Sequence, residues 1–122
     1  QTRLIWKRCS EGQAWDGETC AGTAKSYTWF VALQRGRAKG WRLPNVKELG
    51  SLMDDTRHAP AIDPVFPATP SVRYWTSTFV QYEQDDAKNW AWWIDFDGGR
   101  TLFHFHGLEL AVRLVRDAPP SQ

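Results

Sequence analysis

The sequence predicts an α+β fold, with helices in the first half of the chain and an antiparallel sheet in the second half. Two amphipathic segments with start and stop signals indicate the helices. Runs of aromatic and β-branched residues between turn residues indicate the strands. The length of 122 residues and the 42% of hydrophobic residues suit one packed core. We therefore predict a single domain over residues 1–117, followed by a frayed tail at 118–122.

The first half of the chain begins with a strand and a helix. Residues 4–9 are predicted to form a short strand, and a segment rich in turn residues follows it. Thr28 offers an N-cap oxygen to a helix over residues 29–35, and Gly36 is a stop signal. The first helix is therefore expected between these two residues.

The second helix has the clearer start signal. Pro44 keeps Leu43 extended, because the proline ring disfavours the helical conformation of the residue before it. Asn45 can cap the helix, and Glu48 stands where it can reach back to the Asn45 backbone. The sequence thus predicts a helix that begins at residue 46. The residues of its apolar stripe are Val46, Leu49, Leu52 and Met53.

The second half of the chain is predicted to be a long ordered loop followed by sheet. The loop over residues 57–73 contains four prolines and several apolar residues, so we expect it to pack against the body. The turn at 97–99 is typical of a hairpin. The predicted strands cover residues 73–80, 89–96, 101–107 and 110–116.

Composition and charge exclude several classes of function. Fifteen basic and fourteen acidic residues leave a formal charge of +1, which gives no general attraction to nucleic acid or to an anionic membrane. No apolar run approaches the roughly 18 residues that a membrane span requires. The chain begins with Gln1 rather than Met, which suggests that a leader was removed.

The two cysteines are predicted to form a disulfide. Cys9 and Cys20 lie in a turn-rich segment without the C-x-x-C spacing of a redox motif and without flanking histidines for a zinc site. A bond between them would stabilise the fold by about 3 kcal/mol and would indicate a compartment outside the reducing cytosol. The alternative is a pair of free thiols in a cytosolic protein.

Five blocks of sequence resemble one bacterial family. They cover residues 4–29, 40–54, 61–79, 91–99 and 112–116. In this order they are similar to the family named for the C-terminal domain of Legionella collagen-like adhesins. The resemblance implies a variant of the C-type lectin fold, with two helices packed on a twisted, mostly antiparallel sheet and long ordered loops. This fold is related to that of the formylglycine-generating enzymes.

The resemblance also implies a function. Members of the family occur in exported and surface proteins of bacteria; those with known roles bind other molecules, including sulfated glycans, and are not known as catalysts. This sequence has Leu114 where the family often has a cysteine, which leaves Cys9 and Cys20 as the only pair. The enzyme relatives depend on cysteines in the second half of the chain, where this sequence has none.

A run of basic residues is the strongest candidate for a binding site. Between residues 19 and 47 there are six basic residues and no acidic residue. Arginine presents a planar fork that suits sulfate, phosphate or carboxylate, and nearby glycines allow the side chains to converge. The alternative is a solvated turn. The predicted ligand-binding residues are Arg35, Arg37, Lys39, Arg42 and Lys47.

Aromatic side chains form a second candidate contact surface. Tyrosine and tryptophan are enriched in interfaces, and the predicted sheet is rich in tryptophan. Trp92 and Trp93 point to opposite faces of a strand, so they cannot both enter the same core. Packing under a loop is the alternative. The candidate contacts are Tyr82, Trp90, Trp92 and Trp93.

Two further clusters suggest metal sites only weakly, and we predict no metal and no cofactor. The acidic segment 83–97 could hold Ca²⁺ or face a basic partner, but it lacks the paired motifs of calcium-dependent lectins. His104 and His106 lie two apart on a strand, which suits zinc, although a surface strand is the simpler reading.

The sequence predicts a non-catalytic, exported binding domain, periplasmic or at the cell surface. We find no nucleophile elbow, metalloprotease motif or phosphate-binding loop. The first candidate ligand is an exported partner protein, for example one that this domain neutralises or scaffolds. The alternative is an adhesin-type domain that binds sulfated or other anionic glycans, and an enzyme of the formylglycine-generating type is third. The sequence leaves the oligomeric state open.

Overall fold

The computed structural model describes residues 3–80, 90–105 and 108–118 of the chain. The fold is mixed α/β, and its described part contains two short helices and several antiparallel strand pairings. The helices are α1 (Trp29–Gln34) and α2 (Val46–Gly50), with a single 3₁₀ turn at Arg37–Lys39 between them. The strands are β1 (Leu4–Trp6), β2 (Ala14–Trp15), β3 (Cys20–Ala21), β4 (Arg73–Val80), β5 (Trp90–Asp95), β6 (Arg100–Phe105) and β7 (Val115–Asp117).

The central sheet consists of β4, β5 and β6, paired in that order and antiparallel. Trp75 of β4 is paired with Trp93 of β5, and the register shifts between Trp75 and Phe79. A tight turn joins Asp95 to Arg100, so the hairpin predicted at residues 97–99 is confirmed.

The final strand differs from its prediction. Only Val115–Asp117 forms a strand, and it pairs with β1 rather than with the central sheet. The three residues before it are buried, and their carbonyls at Val112 and Leu114 accept hydrogen bonds from the N-terminal segment. The segment therefore crosses the core between two sheets: Ala111 forms a parallel bridge with Tyr74 of β4 at its start, and Val115–Asp117 pairs with β1 at its end. Likewise β1 covers only residues 4–6 of the strand predicted over 4–9.

Two apolar clusters pack on opposite faces of β4 and β5. Strand alternation places Trp75 and Trp93 on one face, where they pack with Trp29 of α1. Tyr74 and Ile94 point to the other face, where α2 contributes buried apolar residues. Each helix thus covers one face of the same pair of strands.

The start of α2 is confirmed in atomic detail. The Glu48 backbone N–H donates to Asn45 Oδ1 at 2.8 Å, and the Asn45 N–H donates to Glu48 Oε1 at 2.8 Å. Because the helix ends at Gly50, Leu52 reaches the core from the following turn. At α1, Thr28 occupies the N-cap position but its side chain makes no capping hydrogen bond, so that part of the prediction is wrong.

The proline-rich loop packs against the body as predicted. Ile62 is buried and Phe66 is half-buried, whereas Val65 is 65% exposed. Backbone bonds hold the loop in place: the Ala61 N–H donates to the carbonyl of Phe96, and the Asp63 N–H donates to that of Leu52. The loop is therefore a fixed part of the structure.

Candidate functional site

A sharp turn after α1 presents three cations of the predicted basic run. Gly36 and Gly40 flank the 3₁₀ turn, both with left-handed backbone, at φ 75° and 81°. This conformation favours glycine, which has no Cβ to clash. Arg35, Arg37 and Lys39 are exposed around the turn. The glycines therefore allow the chain to fold back and present these three charges on one turn.

The cations at this turn are paired to different degrees. Arg35 Nη2 lies 3.2 Å from Glu11 Oε1, and the same carboxylate is 3.4 Å from Lys7 Nζ through its other oxygen. Across the described residues, Arg37 and Lys39 form no ion pair. One carboxylate thus pairs with Lys7 and Arg35, while Arg37 and Lys39 leave the turn with excess positive charge.

The turn borders an open groove of about 320 Å³. Lys7, Glu11, Gln34, Arg35 and Lys39 are among the residues that line it. The groove has one carboxylate, one amide and three cations along its wall. Such a surface suits an anionic ligand with hydrogen-bonding groups.

Trp41 extends this positive surface toward β7. The Lys7 ammonium lies 5.2 Å from the Trp41 ring centroid, and the Arg116 guanidinium lies 4.9 Å from it. Cations are attracted to the face of an aromatic ring, so Trp41 holds these two charges beside the turn. We define the basic surface as the five cations Lys7, Arg35, Arg37, Lys39 and Arg116.

Arg42, predicted to bind ligand, is engaged within the fold. Its guanidinium donates to both Glu48 oxygens, at 2.8 and 2.9 Å, and to Asp117 Oδ1 at 3.1 Å. The Arg42 hydrogen bonds hold the pKa of Glu48 below its ordinary value, and Glu48 in turn raises the pKa of Arg42. Arg42 therefore joins the cap of α2 to β7.

Lys47, the fifth predicted residue, lies apart from the turn on α2. It is exposed, and in the described ranges it forms no ion pair. The structure thus brings Arg35, Arg37 and Lys39 together, adds Lys7 and Arg116, and assigns Arg42 to an internal network. Lys7 and Arg116 were missed because they are distant in sequence and meet only at Trp41.

The described aromatic residues among the predicted contacts differ in how far they are buried. Trp93 is 3% exposed and belongs to the core, where Arg73 stacks on its ring with 4.7 Å between Cζ and centroid. It therefore offers no surface to a partner. Trp92 is half-buried. Tyr82 and the side chain of Trp90 lie outside the described residues.

An exposed apolar patch lies elsewhere, and the sequence patterns did not indicate it. Phe30 and Phe79 are 55% and 53% exposed, and their rings lie 5.4 and 5.7 Å from that of Trp29. Val31, beside Phe30 in α1, is 44% exposed. The signal available was that Trp29 and Phe30 are neighbours on a helix, so they cannot both face the core.

The predicted disulfide is present. Cys9 and Cys20 are bonded, and both are buried. The bond joins β3 to the segment that follows β1. This segment also surrounds an unusual core residue.

Arg113 is 1% exposed, and its guanidinium is surrounded by uncharged oxygens. Nη1 donates to the carbonyls of Lys7 and Arg8, at 3.1 and 2.6 Å, and Nη2 donates to Thr69 Oγ1 at 2.9 Å and Ser10 Oγ at 3.4 Å. Burial lowers the pKa of Arg113, although a guanidinium stays protonated at neutral pH. Only its position between two apolar residues could have indicated this role.

Comparison with protein families assigns the chain to one family. The model of the Lcl C-terminal domain family matches residues 1–116, a range that includes the disulfide, the basic surface and Arg113. The chain belongs to the Lcl C-terminal domain family. Membership indicates an adhesin-associated bacterial domain and an exported protein. No curated protein and no solved structure matches the chain.

This Lcl C-terminal domain shows no membrane span or metal cluster in its described ranges. None of its described helices is long and apolar enough to cross a membrane. Histidines, cysteines and carboxylates nowhere gather into a group of three within residues 3–80, 90–105 and 108–118. Residues 83–89 of the acidic segment and His106 lie outside the described residues, as does the side chain of His104. Asp95, at the end of that segment, accepts from the Asp97 N–H and pairs with Arg100.

Proposed function

We propose that this chain is an exported, non-catalytic binding domain that recognises an anionic macromolecule through the basic surface, with a sulfated glycan as the first candidate. The observation that carries the proposal is a groove lined by three cations and one carboxylate. The other two cations of the basic surface are exposed beside it, Arg37 on the same turn and Arg116 on the ring of Trp41. The sequence alone favoured a partner protein. The geometry favours the glycan, because Trp93 is buried while the cations are exposed.

The arrangement of charge suits a chain of sulfates. Arg37 and Lys39 project from a turn whose backbone is already folded, with a left-handed glycine on each side. Binding therefore loses little backbone entropy. Arginine forks bind sulfate oxygens in pairs, while lysine contributes a mobile point charge. An open groove accepts a long ligand, which passes across it rather than ending inside it.

A partner protein in the periplasm or at the cell surface is the second candidate. The exposed patch of Phe30, Val31 and Phe79 supports it, because apolar residues grouped on a surface are typical of protein interfaces. An enzyme of the formylglycine-generating type remains third, since the second half of the chain lacks the cysteines of those enzymes. We further propose that the fold is a variant of the C-type lectin fold, supported by two helices on an antiparallel sheet.

Binding of the purified, oxidised domain to immobilised heparan sulfate tests the first candidate. We expect retention that falls with salt and weakens by about tenfold in Lys39→Ala. Lys47→Ala is the matched control, since both lysines are exposed and neither forms an ion pair within the described chain. It should bind like the wild type.

Two outcomes would argue against the glycan. Equal losses in Lys39→Ala and Lys47→Ala would show that only net charge matters. A domain that fails to bind heparan sulfate, yet retains one protein from an exported fraction at moderate salt, would favour the second candidate. That retention should then be lost in Phe30→Ala.

A further inference from the structure

We propose that the proline-rich loop forms a second ligand site, distinct from the basic surface, that binds a small organic carboxylate with an apolar body. The site is a groove of about 450 Å³. We call it the proline groove. The residues that matter for the argument are Arg57, His58, Ile62, Pro64, Phe66 and Thr69, all of which line it.

The size of the proline groove suits a small molecule, and its wall combines polar and apolar surface in similar amounts. Volumes of 300–1,000 Å³ are usual for small-ligand sites, which are mostly apolar with a few placed polar groups. Ile62 is 2% exposed and forms part of the wall, and Pro64 and Phe66 add apolar surface. An apolar body of a few carbons or one ring would therefore find matching surface there.

The residues that line the proline groove include the formal positive charge of Arg57 and no carboxylate. Arg57 and His58 line it directly. Arg57 Nε lies 3.3 Å from Asp54 Oδ2, which neutralises part of its charge. Asp54, Asp55 and Asp63 are the carboxylates between residues 54 and 69, and none of them is among the residues that line the groove. A carboxylate is therefore the better complement than a cation.

The buried guanidinium of Arg113 adds a second, less screened charge. Its Cζ lies 4.7 Å from the Phe66 ring centroid, and its Nη2 lies 2.9 Å from Thr69 Oγ1. Both Phe66 and Thr69 line the groove, so Arg113 stands one side chain behind the wall. None of the described carboxylates pairs with it. A buried charge without a counter-ion attracts an anion to the nearest accessible space, because little water screens it.

The backbone holds the proline groove in a defined shape. Ala59 and Ala68 adopt left-handed conformations, at φ 46° and 55°, which are uncommon for residues with a Cβ. Hydrogen bonds to residues outside the loop hold both alanines in place. The Ala59 N–H donates to the Asp97 carbonyl at 3.1 Å, and Gln13 Nε2 donates to the Ala68 carbonyl at 3.1 Å. A groove fixed in this way loses little entropy when a ligand binds.

An NMR titration of the whole chain with benzoate and with benzamide tests the proposal. Benzamide has nearly the same shape and no charge, so the pair isolates the carboxylate. We expect saturable backbone shifts confined to residues 57–69, with benzoate binding about tenfold more tightly than benzamide. Equal affinities, shifts centred on the basic surface, or no saturation up to about 20 mM benzoate would overturn the proposal.

Two neighbouring substitutions provide a matched test of the location. Pro64→Trp places a ring in the groove, whereas Val65→Trp adds the same ring at the exposed neighbouring residue, which does not line it. We expect the first to abolish the benzoate shifts and the second to preserve them. Loss of binding in both variants, or in neither, would contradict the assignment.

Arg113→Met tests the buried charge. If the variant keeps a dispersed spectrum, the preference for benzoate over benzamide should fall while benzamide binding persists. An unchanged preference would show that Arg113 takes no part. If this variant does not fold, Arg57→Gln together with the two tryptophan variants decides the proposal. These tests are independent of heparan sulfate, so either site can fail without the other.

Discussion

At the scale of single residues, Glu48 has two structural roles. Its Oε1 accepts from the Asn45 backbone and completes the cap of α2, while both its oxygens accept from Arg42. Arg42 also reaches Asp117 of β7. One carboxylate thus fixes the start of a helix and links that helix to the strand at the end of the fold.

Replacing Glu48 with Gln should separate these two roles. Glutamine at this position can still accept the hydrogen bond from the Asn45 backbone N–H that completes the capping box. It lacks the negative charge that pairs with Arg42. Because Arg42 is partly exposed, solvent screens the pair, and we expect a loss of about 1 kcal/mol in the free energy of unfolding. Urea denaturation measures it. Lys47→Gln, next to it in the helix, should change stability by less than about 0.5 kcal/mol.

The same carboxylate predicts a pH dependence. The pKa of Glu48 is lowered in the folded state, mainly by hydrogen bonds from Arg42, so the unfolded chain binds the proton more readily. Its contribution to stability is therefore complete above the ordinary value of 4.5 and is lost as pH falls through the lower folded value. The difference in unfolding free energy between wild type and Glu48→Gln should shrink below pH 4.5. A constant difference down to acid pH would contradict this assignment.

At the scale of elements, the turn after α1 depends on two glycines in different surroundings. A Cβ built on Gly36 would lie 2.8 Å from both Leu114 Cδ1 and Trp41 Cβ, whereas one built on Gly40 would meet nothing within 4 Å. Both have positive φ. Gly36 is therefore required by conformation and by space, and Gly40 by conformation alone.

Alanine at each glycine separates strain from packing. Gly40→Ala should cost about 1 kcal/mol of unfolding free energy, from the left-handed backbone alone. Gly36→Ala should cost about 3 kcal/mol, because it also forces Leu114 and Trp41 apart. Thermal and urea unfolding of the pair measure the difference. Equal costs would show that the neighbours move aside freely.

The elements also show what the sequence can and cannot predict. The start of α2 was predictable because its signals, Pro44, Asn45 and Glu48, all lie within five residues. The partner of β7 was not, because pairing with β1 joins opposite ends of the chain and leaves no local pattern. From the sequence, Arg42 was predicted to bind an anionic ligand. In the folded chain its hydrogen bonds go to Glu48 and Asp117 instead, because folding brings these carboxylates to it.

At the scale of the whole molecule, the disulfide and Arg113 stabilise the same region. Arg8 and Ser10, on either side of Cys9, both accept hydrogen bonds from Arg113. Ser10 also shares a hydrogen bond with the Tyr74 hydroxyl of the central sheet. The bonded cysteines therefore restrain the backbone that surrounds a buried charge. The setting of the two cysteines indicated the disulfide, but nothing local indicated that its neighbours would enclose an arginine.

Breaking the disulfide should affect the entire fold. We expect Cys9→Ser/Cys20→Ser to lose about 3 kcal/mol of unfolding free energy, because the unfolded chain is freed and the segment around Arg113 is less restrained. Urea unfolding with and without reductant measures the loss. Reductant should shift the midpoint of the wild type and leave that of the double variant unchanged. Identical midpoints for oxidised and reduced wild type would refute this expectation.

The pairing of β1 with β7 has a mechanical consequence. The Ala118 N–H donates to the Arg3 carbonyl at 2.9 Å, and Leu4 lies opposite Asp117, so a force pulling the two ends of the described chain apart reaches this end of the ribbon first. The three pairs of this ribbon would then separate one after another, as a zipper opens, instead of resisting together. A pull from a ligand on the basic surface takes another route, because Arg42 and Val115 exchange backbone hydrogen bonds at 2.8 and 2.9 Å. Tension from that surface passes directly into β7, so the direction of pulling decides how firmly the domain holds.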